Sequence, residues 1–230
     1  MRFYGSPEPA PGKIKDLVLP FQNELHLLRH LNEVTPEVKA KFLGQKIRSP
    51  QGEQVIDETY LDGLLKTHGA KFHPDQHIDD PQKIRAIALA EAKRREQGLT
   101  WYRRGPRRTI FKITLTPELK AEYGLNPNAP LGFGNLLRIT DELRPAVYHK
   151  ERGAAGADAM QRNFIKSQEI PTSDDLIVAL VWPDGKENPQ IQSAHPGVLT
   201  PPLPNPAMHS GEELEYYKSF WQNYAFVESK

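Results

Sequence analysis

The sequence predicts an α+β protein in which a helical N-terminal part precedes a mainly antiparallel sheet with accessory helices. Three observations carry that expectation. Up to Gly98, apolar residues recur at helical spacing between capping residues. After Gly98, short runs of alternating character are broken by Gly, Pro and Asp turn signals. The chain has 230 residues, 38% of them hydrophobic, enough to bury a core as one compact unit. The composition shift divides it into a helical region, 1–98, and a sheet domain with a C-terminal helix, 99–230.

The elements follow in order. In "LPFQNELHLLRHLNEV", Phe21, Leu25, Leu28 and Leu31 fall on one helical face. "VTPEVKAKFLG" has Thr35 as cap, Pro36 at the first helical position and Gly44 as stop. "DETYLDGLLKTHG" repeats this grammar, and "DPQKIRAIALAEAKRREQG" is a fourth helix begun by Asp80. "LTWYRRGPRRTIFKITL" reads as two strands around Gly105-Pro106, followed by a short helix capped by Thr116. "NLLRIT" and "RPAVYHK" read as strands, and "GADAMQRNFIKS" as a helix. "DLIVALVWPDGKENPQIQSAH" reads as a hairpin turning near Asp184-Gly185, and Ser-Gly-Glu-Glu from Ser210 forms a capping box for the last helix. Residues 20–98 are therefore expected to be helix and loop, and 99–195 to supply at least four strands to one sheet.

Composition narrows the function classes. With no cysteine, disulfides and thiolate metal sites are excluded. No apolar run approaches the roughly 18 residues of a membrane span, and "MRFYGSPEPAPGK" lacks a secretory h-region. The reading is a soluble protein with no membrane partner, cytoplasmic or exported without a classical signal peptide. The net charge of +1 hides a segregation. Lys83 to Lys112 carries ten Lys or Arg against Glu91 and Glu96, a net of +8. From Ile170 to Lys230, three lysines face eight acidic residues, a net of −5. Such a basic block suits a polyanion or phosphate partner, or pairs internally with the acidic C-terminal part.

Reactive side chains gather at two strand ends. Tyr148, His149, Lys150, Glu151 and Arg152 precede a small-residue loop, and Ser193 and His195 precede a Pro-rich loop that begins at Pro196. Paired histidines near neutral pH can act as general base and general acid, with Lys150 or Arg152 stabilising an anionic transition state. Pro196 should hold His195 extended, although a loop histidine satisfied by one hydrogen bond would look the same. No Gly-x-Ser-x-Gly elbow surrounds Ser193, which disfavours a serine hydrolase. Arg103, Arg104, Arg107 and Arg108 interleave with Trp101, Tyr102 and Phe111, the mixture of cations and flat rings used on nucleic-acid surfaces. In alternating strands, those aromatic residues can equally be core. His73, His77 and Asp80 have metal-ligand spacing with His68 nearby, but Asp80 is already a helix cap. His26 and His30, four apart, share a helix face at the edge of the leucine stripe. "GFGN" at 132–135 precedes a strand, so it signals a turn rather than a phosphate loop.

Helices followed by an antiparallel sheet, with a His-Lys-x-Arg strand end and a late strand ending Ser-x-His, resemble the metal-independent nuclease toxins of the barnase, EndoU and colicin type over about residues 100–200. The resemblance implies His149 and His195 as acid and base, Arg152 or Lys150 as phosphate contact, and Ser193 as a supporting donor. It further implies no cofactor, and RNA or another phosphate-bearing ligand as substrate. The long Pro-rich loop and the helical N-terminal part depart from that pattern. The first functional expectation is thus a phosphodiester-directed enzyme, a toxin or effector with a protein inhibitor. The alternative is a non-catalytic binder of nucleic acid or an acidic protein, and the third reading is a His/Asp metal enzyme.

Overall fold

A computed structural model describes residues 19–49, 52–66, 69–94, 100–103, 108–152, 160–167, 170–183 and 189–229. Among them are six α-helices and thirteen strands in four sheets, a mixed architecture whose strand pairings are antiparallel with one exception.

Local capping chemistry sets the early helices. Asn23 accepts a hydrogen bond from His26 N to open α1, Glu24–Leu27, which tightens into a 3-10 turn, Leu28–His30. The predicted first helix is thus barely two turns long, although Leu28 and Leu31 of its stripe are fully buried. Thr35 caps α2, Pro36–Phe42, through Val38 N at 3.2 Å. Gly44, at φ +81°, turns the chain out of that helix, a conformation that costs glycine little. Asp57 caps α3, Glu58–Leu65, and Asp80 accepts from Gln82 N at 2.8 Å at the start of α4, Pro81–Arg94.

Strands interrupt this helical series. β1, Lys46–Ser49, and β2, Gly52–Val55, form an antiparallel hairpin, and β3, Lys71–Phe72, joins a sheet assembled later in the chain. The expectation of only helix and loop over 20–98 does not hold. The hairpin's described side chains are largely exposed, so it lacks the buried face that reveals a strand in sequence.

The principal sheet contains β4, Thr100–Arg103; β5, Arg108–Thr114; β11, Asp175–Val181; and β12, Gln190–Pro196. They are arranged β12-β11-β5-β4, the four strands of one sheet expected of 99–195. Alternation sorts its two faces. Phe111, Ile113, Leu176 and Val178 point into the main core with Leu27, Leu28, Leu61 and Ile84. Ile110 and Ile177 point the other way and meet Leu199 and Tyr217. α5, Pro117–Glu122, capped by Thr116, follows β5 as expected.

A small sheet, β10-β6-β3, consists of Thr172–Ser173, Gly132–Phe133 and β3. A further sheet orders β7, Leu136–Arg138; β13, Tyr224–Ser229; β9, Met160–Ser167; and β8, Tyr148–Arg152. Here the sequence expectation fails twice. "GADAMQRNFIKS" is strand from Met160, and the chain closes on β13 rather than on α6, Gly211–Asn223. β13 lies parallel to β9 and antiparallel to β7, a pairing of distant segments that local patterning does not encode. Ser210 stands at the N-cap of α6 but makes no capping side-chain bond, so the predicted capping box is not formed. The hairpin turn near Asp184-Gly185, Gly105-Pro106 and His68 lie outside the described residues.

Candidate functional site

His195 stands near the end of β12, opposite Ile177, in the extended conformation expected before Pro196. Its Nδ1 lies 3.0 Å from the Pro196 carbonyl oxygen. A carbonyl only accepts, so Nδ1 carries a proton and donates to it, which leaves Nε2 as the ring nitrogen on the far edge. The backbone around it is tightly clamped. A Cβ at Gly132 would overlap the Lys71 carbonyl oxygen and the Pro196 ring, and would lie 2.9 Å from Phe72 Cα. A Cβ at Gly134 would lie 3.3 Å from Gly197 Cα. Ser173 Oγ donates to the Gly197 carbonyl at 3.1 Å. "GFGN" is therefore a close-packing segment that presses the small sheet onto residues 195–197, which explains its glycines without a phosphate.

The same packing brings N-terminal residues to His195. Its ring lies 5.1 Å from that of His30, tilted by 34°, and His26 lies 6.1 Å beyond His30, edge-on at 73°. His30 Nδ1 donates to the Ala70 carbonyl at 2.8 Å, while its enclosed Nε2 has no hydrogen-bond partner. Arg29 Nε is likewise buried without a partner. Lys71, on β3, donates from Nζ to the carbonyls of Leu31 (2.8 Å) and Leu65.

The electrostatics of this cluster are uniform in sign. Burial, then the charge of His195, pushes His30 well below the usual histidine pKa, outweighing the Ala70 hydrogen bond that pulls it up. Burial, then Arg29 and His195, lowers His26. Burial, then Arg29, brings Lys71 down to about 8. Burial and like charge both disfavour protonation, so near neutral pH His26 and His30 are held as neutral imidazoles beside Arg29.

His149 lies elsewhere. It is exposed on β8, opposite Asn163, in a different sheet from His195. Beside it is a cavity of about 380 Å³ bordered by Arg144, Val147, Asn163 and Asn223. The structure thus brings His195 together with His30 and places His149 on a separate sheet with its own surroundings. Lys150 donates to both Glu228 carboxylate oxygens, at 2.8 and 2.7 Å, and Tyr148 OH donates to the same group at 2.6 Å. These bonds raise Lys150 and Tyr148 and lower Glu228 in pKa. Lys150's charge is balanced at the position proposed for a phosphate contact. The Arg152 backbone lies on β8 opposite Met160. Ser193 lies on β12 opposite Ala179, two residues from His195 and on its side of the strand.

Trp101, Tyr102 and Arg103 belong to the edge strand β4, in register with Phe111, Ile110 and Thr109. Phe111 is buried core rather than a stacking surface. Arg108 is exposed on β5, and Arg104 and Arg107 lie outside the described residues. Lys112 pairs with Asp175 at 3.1 Å, so the basic block partly neutralises the acidic C-terminal part within the molecule. His73 and His77 line a second cavity, of about 140 Å³, with Asn32 and Glu33. Among the described residues, no group of three or more His, Asp or Glu side chains is placed to hold a metal ion.

Sequence reasoning missed the partners of His195. The His26/His30 spacing was visible, but nothing local linked it to a strand some 165 positions later (195 − 30). No helix among the described residues is long and apolar enough to cross a membrane. No protein-family model and no curated protein matches the chain. A crystal structure of a conserved hypothetical protein from Toxoplasma gondii ME49 is similar over 64% of this chain and 86% of that chain, with 10% identity and a TM-score of 0.38. That likeness is too loose to carry an argument.

Proposed function

We propose that the protein is a phosphodiester-directed enzyme that cleaves RNA by acid–base chemistry at the His26–His30–His195 cluster. The observation that carries this reading is the contact series of three imidazoles beside Arg29, whose charge also acts on Lys71. Partly accessible neutral His26 suits the general base that takes the proton of a ribose 2′-hydroxyl as that oxygen attacks the adjacent phosphorus. His195, protonated at Nε2, gives its proton to the departing 5′-oxygen. The P–O5′ bond breaks, leaving a 2′,3′-cyclic phosphate and a 5′-hydroxyl. His30, anchored on Ala70, is a positioning residue between the two. Arg29 and Lys71 supply positive charge for the phosphorane, which in a partly buried site outweighs the same charge in water. The same cations repel a divalent metal, which favours a metal-independent mechanism. Lys150 and Arg152 drop out of the assignment, and His149 becomes part of a different site.

The test is an oligoribonucleotide cleavage assay with chelator present and product ends identified. Cleavage to 2′,3′-cyclic phosphate ends, lost in His195→Ala and His26→Ala and kept at saturating RNA in His149→Ala, is expected. RNA left intact by the native protein from about pH 5 to 8, where an unperturbed histidine titrates, would overturn catalysis. RNA binding that persists under those conditions would then assign the cluster to phosphate binding alone.

A further inference from the structure

We propose that the cavity beside His149 is a nucleobase subsite, which holds the base and the flanking phosphate of one nucleotide of the substrate. The choice of ligand class rests on the phosphodiester-directed reading, and the remainder rests on the cavity. Its volume of about 380 Å³ exceeds what a base alone fills and lies within the range of small-ligand sites. Ile139 and Val147 offer apolar surface to a ring face, and amide side chains line the rest. Amides are the groups that read base edges, because each carries a donor and an acceptor side by side.

Those amides are held rigidly. Asn163 Nδ2 donates to the carbonyls of Trp221 (3.0 Å), Gln222 (3.3 Å) and Tyr224 (3.3 Å) at the end of α6. Asn223 Nδ2 donates to the Ser219 carbonyl at 2.8 Å, and its own carbonyl accepts from Ile139 N at 2.8 Å. With the amide hydrogens used in this way, the oxygens Oδ1 of Asn163 and Asn223 remain as acceptors. Two such acceptors fit the two hydrogens of an exocyclic amino group, as in adenine and cytosine, better than uracil, whose single N3–H lies between two carbonyls. One cation, Arg144, sits at the rim. Arg144 is exposed and lies 3.8 Å from the solvent-exposed Asp141 carboxylate, a loose pairing that a phosphate would replace. Lys150 alternates with His149 on β8 and is paired to Glu228 away from the cavity, which leaves Arg144 as the phosphate contact. α6 connects the two sites. Tyr217 shares a buried cluster with Ile177, the residue directly opposite His195, and Asn223 borders the cavity. One oligonucleotide lying along that helix would touch both.

Titration calorimetry with AMP, CMP, UMP and inorganic phosphate tests the subsite without relying on catalysis. AMP and CMP should bind saturably, UMP about three-fold or more weakly, as befits one lost base-edge hydrogen bond. Inorganic phosphate should bind at least about ten-fold more weakly than CMP, having no base to bury. His149→Ala and Arg144→Ala, both at exposed positions, should each weaken CMP about five-fold with unchanged circular dichroism. Absent nucleotide binding, phosphate binding as tightly as CMP, or variants that bind CMP like the native protein would each overturn the subsite. Nucleotide binding of the expected pattern in a protein that leaves RNA intact would sustain the subsite and remove the catalytic reading. RNA cleavage without nucleotide binding here would do the reverse.

Discussion

His195 stands one residue from the end of its strand inside a collar of backbone, with Gly132, Pro196 and Gly197 closed around it and two further imidazoles beyond, one tilted and one edge-on. His149 sits in mid-strand on β8, exposed, with Lys150 and Glu228 forming a balanced pair next to it. Both are histidines on strands. The difference lies in what distant segments bring up to them. Around His195, the N-terminal turn, β3 and the 132–134 segment converge and leave the ring half-buried. Around His149, the neighbours are the end of α6 and its own sheet, and solvent reaches the ring. Burial shifts the ionisation of one cluster, and a carboxylate balances the charge beside the other. The comparison teaches that reactivity at a strand end is conferred by the packing against it.

The collar breaks most directly at Gly132. Gly132→Ala drives a methyl into the Lys71 carbonyl and the Pro196 ring, neither of which is a flexible side-chain end, so a stability loss of about 3 kcal/mol or more is expected. Chemical denaturation should show it, and RNA cleavage should fall with it. Native-like stability would mean that the clamp on His195 is slack.

Catalysis separates the two histidines next. His195→Ala should lower the cleavage rate by about 10² to 10⁴, the usual contribution of a general acid or base, while His149→Ala should retain the rate at saturating RNA. Equal losses would place both residues in one site.

Titration of stability sharpens the comparison further. His30 and His26 have folded-state pKa values below their unfolded ones, so the unfolded chain binds protons first. Their contribution is fully present above about pH 6.5, the unfolded histidine value, and is lost as pH falls toward the folded values. The loss through His30 grows by up to about 1.4 kcal/mol per pH unit. Thermal unfolding between pH 7 and 5 should show a falling midpoint, and His30→Gln should flatten that fall. A midpoint independent of pH in the native protein would mean that the cluster is solvated.

The smallest effect belongs to the β8 pair. Glu228→Gln should move the thermal midpoint by no more than about 2 °C, because exposed ion pairs contribute little to stability. A larger change would show that the Tyr148–Lys150–Glu228 network holds β13 in its sheet.

Much of the architecture was legible in sequence because its causes are local. Thr35, Asp57, Asp80 and Thr116 each begin the helix their position implies, since a side-chain oxygen reaches an amide two or three residues ahead whatever the rest of the chain does. The strands β5, β11 and β12 were visible because each buries one face of its alternating pattern and β11 buries most of both, whereas the pairing of β5 with β11 was not. Pro196 constrained the residue before it, so the extended backbone of His195 was visible as well.

What tertiary structure alone decided involves segments far apart in the chain. β9 was read as a helix and β13 as the end of one, and both became strands by pairing in parallel across more than 60 residues (226 − 164). Their hydrogen-bonding partners supply the energy that local propensity lacks. Lys150 looked like an available cation until β13 placed Glu228 against it. The His26–His30 pair was visible as a spacing, and His195 as a strand end. That they form one site follows from the packing of β3 and the glycines at 132 and 134 against the end of β12, where the absence of a side chain lets two backbones close and carries the rings within 5.1 Å. A sequence records which groups are present and how the chain turns next to each of them. Which groups lose their water, and therefore which titrate away from their ordinary values, depends on non-local contacts that only the folded chain creates.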